Sequence, residues 1–198
     1  MSPITHLLIS WSAANITNLN KKERTIVTIA GVIPDIDGIG IIADIITKNT
    51  GHPLYLWNFH HTLGHNIGFA VFIFIMAFFL SNSAFSRRWV TAIIAFIIFH
   101  LHLLCDLIGS RGPDGGQWEI PYLLPFSDIW QLTWSGQWRL NAAPNFVITA
   151  IFLIITFYLA WKHGYSPLEI ISQKIDNLFA AALRRRFGNP HVSKIIKK

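Results

Sequence analysis

The run AIIAFIIFHLHLLCD, Ala92 to Asp106, constrains the fold more than any other stretch. It has the composition of a helix in hydrocarbon, yet His100, His102 and Asp106 sit near its far end. An ionisable group costs roughly 3 kcal/mol or more at the centre of a membrane helix, so these residues need partners or a water-lined cavity. His102 and Asp106 are four apart, which on a helix sets one above the other on one face. That spacing suits two ligands of one metal ion, and equally a hydrogen bond tying two helices together.

Composition supports a membrane chain. Of 198 residues, 52% are hydrophobic and only 13% charged, against about 25% charged in a soluble domain. Cys105, the sole cysteine, forms no internal disulfide and reads as a small packed hydrophobe. The net charge of +6 is segregated along the chain, so it reports topology and no nucleic-acid partner is expected. MSPITH lacks a basic region and no small-residue cleavage site follows, so no cleaved signal peptide is expected.

Apolar runs at residues 67–80, 89–108 and 144–161 are credible spans. Residues 7–14 and 26–33 are short against the roughly 20 residues a straight span needs. Either polar helical turns flank them or they stop part way. Trp118, Trp130, Trp134 and Trp138 place the loop after residue 109 at the membrane surface. Ser166-Pro167-Leu168-Glu169 is a capping box with proline at the first helical position. From Leu168 the apolar residues follow helical spacing to Leu183, and Arg184, Arg185 and Arg186 close the pattern. The expected fold is an all-α integral membrane protein with four to five membrane-embedded helices and a C-terminal amphipathic interfacial helix. Residues 1–165 form the membrane-embedded domain, and 166–198 a cytoplasmic amphipathic helix on an anionic leaflet followed by a basic tail.

Positive residues collect on the cytoplasmic side. With the C-terminal tail inside and the segments alternating, thirteen of the 16 Lys and Arg residues fall inside. Only Lys48, Arg111 and Arg139 fall outside. The same alternation puts His6, Asp35, Asp37, His60, His61, His65, His102 and Asp106 near the outer ends of their helices. Charge counting did not require that agreement, so these residues are expected to form one outward-facing cluster. Each has a plainer role when taken alone. Asp35 or Asp37 suits an N-cap after Pro34, and of the adjacent His60 and His61 one is expected not to be a ligand. Together they offer imidazole and carboxylate, which suit zinc first, and also iron, manganese or nickel. Their number allows one or two divalent ions, with surplus residues behind the ligands.

PITHLLISW (Pro3 to Trp11), AGVIPDIDG (Ala30 to Gly38), HHTLGH (His60 to His65) and HLHLLCD (His100 to Asp106) resemble the YdjM-like family of bacterial inner-membrane metal-dependent hydrolases. GSRGPDG and IPYLLPFS extend the likeness over nearly the whole chain. The family pattern maps onto His6, Asp35, Asp37, His60, His65, His102 and Asp106. The chain departs from it with His61 in place of arginine and Gly64 in place of threonine. The first departure leaves open which of His60 and His61 is the ligand. The resemblance implies a hydrolase and supplies no substrate.

The mechanism expected of such a site is attack on a phosphoryl or acyl centre by a metal-activated water, with Asp35 or Asp37 taking the proton. Arg111, one of few outer basic residues, would anchor an anionic group, or else snorkel to headgroups. A site at the outer boundary favours a lipid-linked phosphoester, with membrane lipids as the other partners. Two rivals stand beside this reading. A metal or proton transporter would use the same ligands as a transit site but needs polar groups continuing inward, and residues 71–80 are wholly apolar. A structural membrane protein without activity would use the Trp-rich loop and basic helix for contacts.

Overall fold

The computed structural model describes residues 1–48, 50, 54, 62–112 and 115–190. Regular structure among them is helical, apart from two isolated bridges, Arg111 with Arg139 and Ile120 with Leu132. The helices are α1 (Pro3–Ala14), α2 (Lys21–Ala30), α3 (Gly40–Thr47), α4 (Ile67–Leu80), α5 (Phe85–Gly109), α6 (Ala143–His163) and α7 (Gln173–Phe187). Two 3-10 turns, Ile33–Ile39 and Pro167–Ile170, join them.

The starts are written locally. Ser2 caps α1, its hydroxyl accepting from the Thr5 N–H at 3.2 Å, and Pro3 holds the first turn. Asn20 and Glu23 make a reciprocal capping box on α2. Asn66 caps α4 by accepting from the Phe69 N–H at 2.8 Å. Tyr122 and Leu124 carbonyls accept the next free donors, those of Ile67 and Gly68. The loop after α5 therefore holds the start of α4. Pro34 cannot continue the hydrogen-bond ladder of α2, and the chain tightens into the Ile33–Ile39 turn.

By length and composition α5 and α6 can cross a membrane. α2 with the Ile33–Thr47 segment makes a third span if that pair, bent by 53°, counts as one. α1 has 12 residues and α4 has 14, both short of a straight crossing. The surface agrees with hydrocarbon surroundings. Phe72, Ile75 and Phe79 on α4, Ile93 and Ile97 on α5, and Val147, Ile151 and Ile154 on α6 are all exposed. The interior instead collects small residues: Ala14, Ala30, Ala70, Ala77, Ala92 and Ala95, around Val27, Ile98 and Phe99. Small residues let helix backbones approach where lipid tails offer no hydrophobic incentive to pack.

Basic residues gather at one end. Arg24 is buried, forks onto Glu169 at 2.9 and 2.7 Å, donates to the Leu19 carbonyl at 2.8 Å and lies 3.8 Å over the Tyr165 ring. Arg87 reaches Glu23 at 2.6 Å. The helix expected to run unbroken from Leu168 is interrupted at Ile171–Ser172, where Ser172 starts α7. The reason is Asp176, which is fully buried and accepts from the N–H and hydroxyl of Ser166, each at 2.6 Å. That fold-back is incompatible with one straight helix. α7 buries Ala180 and Leu183 and leaves Ile175, Leu178 and Phe187 exposed, as is Ile171 at the break before it.

Replacing Glu169 by alanine strands the buried Arg24 charge, which should cost about 3–5 kcal/mol. Unfolding of the purified protein should show that loss, and bound metal in the protein that remains folded should be unchanged.

Candidate metal centre

At the end of the bundle opposite Arg24 and Glu169, four segments bring polar side chains into the interior. α1 brings His6, the turn after α2 brings Asp35 and Asp37, the segment before α4 brings His65, and α5 brings His102 and Asp106. Asp35 and Asp37 reach the site because Pro34 ends the helix and the 3-10 turn redirects the chain. His102 and Asp106 share a face of α5, one helical turn apart, as their spacing predicts.

Ligand-capable atoms of His6, Asp35, His102 and Asp106 all lie within 4.8 Å of one another. The His6 Nε2 is 3.0 Å from Asp106 Oδ1, and its ring stacks on His102 with centroids 3.8 Å apart. His102 Nε2 lies 3.0 Å from Asp106 Oδ2 and 3.7 Å from Asp35 Oδ1. His65 joins them, its Nε2 3.1 Å from His102 Nε2 and 3.4 Å from Asp106 Oδ2.

The outward nitrogens decide what the inward ones can do. His102 Nδ1 lies 2.9 Å from the Gly31 carbonyl, which only accepts, so Nδ1 carries the proton. In a neutral imidazole Nε2 then presents a lone pair. His65 Nδ1 lies 3.3 Å from Asp37 Oδ2, which also takes the Gly64 N–H at 3.1 Å. Its Nε2 is likewise turned inward. With both imidazoles neutral, two lone pairs would therefore face each other at 3.1 Å beside carboxylate oxygens. Asp35 Oδ2 and Asp106 Oδ2 are buried without a hydrogen-bond donor. The Met1 ammonium meets the other oxygen of Asp106, Oδ1, so the inward-facing set still repels itself unless a proton or a cation sits among it. With no ion there, that positive charge is a proton on His65: burial works against it, yet the hydrogen bonds to Asp106 and Asp37 outweigh burial and raise the imidazole pKa to about 9, and a bound cation would displace the proton. The donors are imidazole and carboxylate with orienting acceptors behind them, the pattern of a protein metal site. The residues fit a divalent ion.

Asp37 stands behind His65, where it orients the ring. Gly64, where the family pattern has threonine, is explained by space: a Cβ there would lie 2.4 Å from the Pro34 carbonyl oxygen. Gly31 is confined the same way, with Ser10 Oγ 1.9 Å from where a Cβ would be, which lets its carbonyl reach His102. His60 and His61 lie outside the described residues. Arg111 donates from Nη2 to the Ser135 carbonyl at 2.8 Å, while its buried Nε has no acceptor among the described residues. His100 faces away, with Nδ1 on the Phe96 carbonyl at 2.8 Å and Nε2 on the Tyr122 hydroxyl at 2.9 Å.

Several contributors escaped sequence reasoning. Ser110 donates to Asp106 Oδ1 at 2.6 Å, and its four-residue spacing from Asp106 was a readable signal. The Met1 ammonium also meets Asp106 and lies 2.5 Å from Ser110 Oγ. Gln137 donates to the Asp106 carbonyl at 3.1 Å from a distant loop, and Gly31 contributes only backbone. Neither of these leaves a motif.

A family comparison now bears on this geometry. The chain belongs to the YdjM inner membrane protein family, whose model matches residues 1–183. Neither a curated protein nor a solved structure matches the chain.

Removing Asp37 should act on the metal only through His65. Asp37→Asn is expected to weaken metal affinity about 10–100-fold while keeping full stoichiometry at saturation. His102→Ala should lose stoichiometry itself. Titration of metal-stripped protein, read by elemental analysis, separates the two outcomes.

Proposed function

We propose that this member of the YdjM inner membrane protein family is a zinc-dependent hydrolase of phosphoesters, acting at the outer face of the bacterial inner membrane on a lipid-linked substrate. The observation that carries the reading is the inward convergence of His6, His65, His102, Asp35 and Asp106, with His65 and His102 each oriented from behind. The zinc assignment rests on the imidazole–carboxylate donor set, and one or two ions are within its capacity. A divalent ion held here supplies Lewis acidity and makes hydroxide available near neutral pH.

The chain's own residues have separable tasks in this reading. His6, His65, His102 and Asp106 hold the ion. Asp35 is the acid–base candidate, because its Oδ2 has no donor and its side chain is the most exposed of the set, 11% against 2% or less. It would accept a proton from the attacking water as the new P–O bond forms, and return it to the leaving alcohol as the ester bond breaks. Asp37 keeps His65 in register. Arg111, whose Nε has no acceptor among the described residues, is the candidate anchor for the anionic group. The core beneath the cluster favours hydrolysis over ion transit. Between α2, α4 and α5 it is filled by Val27, Ala30, Ile73, Ala92, Ala95, Ile98 and Phe99, the Thr28 and Thr91 hydroxyls are spent on their own helices, and between α1 and α6 the buried Ser12 and Thr156 hydroxyls are spent on each other at 3.3 Å.

Wild-type protein should retain zinc through purification and hydrolyse members of a phospholipid and phosphoester panel. His102→Ala and Asp106→Ala should lose both metal and turnover while remaining inserted. Metal-free wild type, or full turnover in both variants, would sink the proposal. Sidedness is a separate matter: in a Cys105→Ala background, Gly116→Cys should be labelled from outside intact cells and Ser83→Cys protected.

A further inference from the structure

Among the described residues of the cluster, Asp35 is the most exposed. His6, His65, His102 and Asp106 keep 2% or less of their side-chain exposure, whereas Asp35 keeps 11%. Asp35 follows directly on Ile33 and Pro34. Ile33 also forms the upper end of an open, almost wholly apolar groove of about 170 Å³ between α2 and α4. Ile29, Ala30 and Ile33 form one wall, and Phe72, Met76 and Ala77 the other. The groove exists because Ala30 and Ala77 are small and buried, while Ile29, Phe72 and Met76 stand exposed at its rim. From Phe72 to Leu80 it runs along nine residues of α4, about 12 Å at the helical rise.

We propose that this groove is the acyl-chain subsite of the enzyme: one chain of a phospholipid lies between α2 and α4 while its phosphate reaches the cluster past Asp35. The proposal rests on the hydrolase reading above and adds to it the substrate class and the route of approach. Charge complementarity selects the occupant. The groove is apolar throughout, and its Ile33 end lies two residues from Asp35, at the edge of a cluster that would attract an anionic headgroup once it holds a divalent ion. Direction agrees as well, because a lipid with its head at the cluster sends its tails down α2 and α4 toward the basic end. Hydrocarbon gains little by leaving lipid for an apolar groove. The groove therefore orients the substrate, and the headgroup supplies the preference.

The test uses the metal-loaded full chain in nanodiscs, with a phosphatidic acid carrying a photoactivatable group in one acyl chain. A diacylglycerol with the same chain serves as the control. Photolabel should concentrate on Ile29 and Met76 and exceed the diacylglycerol level about tenfold, the factor that about 1.4 kcal/mol of headgroup preference supplies. Ala77→Phe fills the groove and should bring labelling down to the diacylglycerol level with bound metal unchanged. If that variant does not fold, Met76→Trp at the rim provides the same block. Equal labelling by the two lipids, or labelling undiminished in a folded groove-filling variant, would overturn the subsite. Hydrolysis is scored separately. Groove filling should raise KM for the long-chain phosphoester and leave a short, water-soluble one unaffected. If loaded wild type cleaves neither substrate, the hydrolase reading fails, and the labelling pattern still decides the groove.

Discussion

The contact between His102 and the Gly31 carbonyl is the interaction from which the site is built. It pins α5 to the end of α2, fixes the tautomer of His102 and turns a lone pair toward His65 and Asp106. It requires the Ser10 and Ile98 side chains to press against position 31, where a Cβ would meet them at 1.9 and 2.7 Å and glycine leaves the room. Asp106, one turn along α5, then gathers His6 from α1 and Ser110 from its own helix. A buried polar group in hydrocarbon is costly unless satisfied, so the packing of four segments and the filling of this pocket are one problem.

The opposite end is held by different means. Arg24 and Glu169 form a buried, forked ion pair roofed by Tyr165, and Asp176 folds the chain back on Ser166. These contacts tie the C-terminal segment to α2, while the cluster holds the other end of α2 through Gly31. Between the two polar ends the interior is packed on alanines, with the buried hydroxyls of Ser12, Thr28, Thr91 and Thr156 each hydrogen-bonded among them. The molecule therefore has two separate polar regions joined by short helices, with its outer apolar faces left to lipid.

Local rules made part of this legible. The caps at Ser2, Asn20 and Asn66 follow from single side chains and their nearest backbone donors. Pairing of His102 with Asp106 follows from helical geometry alone. His6 was an uninformative histidine by itself and gained meaning only from the other outer-end residues and the resemblance. Gly31 and Gln137 had no signal, because one acts through a carbonyl and the other from a loop 31 residues beyond Asp106. The break before α7 was also hidden: helical spacing of apolar residues runs through Ile171, but burial of Asp176 overrides it.

The sequence by itself determined that this chain is helical, apolar and basic at one end, and that it carries acids and imidazoles at the other. Those are properties of composition and of short-range spacing, so no distant contact is needed to read them. Only the tertiary structure decided the division of labour inside the cluster. It set Asp37 behind His65, left Asp35 the most exposed of the set and turned His100 away to Tyr122. Those roles depend on which nitrogen or oxygen faces inward, and that is fixed by partners 28, 71 and 22 residues away, for His65, His102 and His100 respectively.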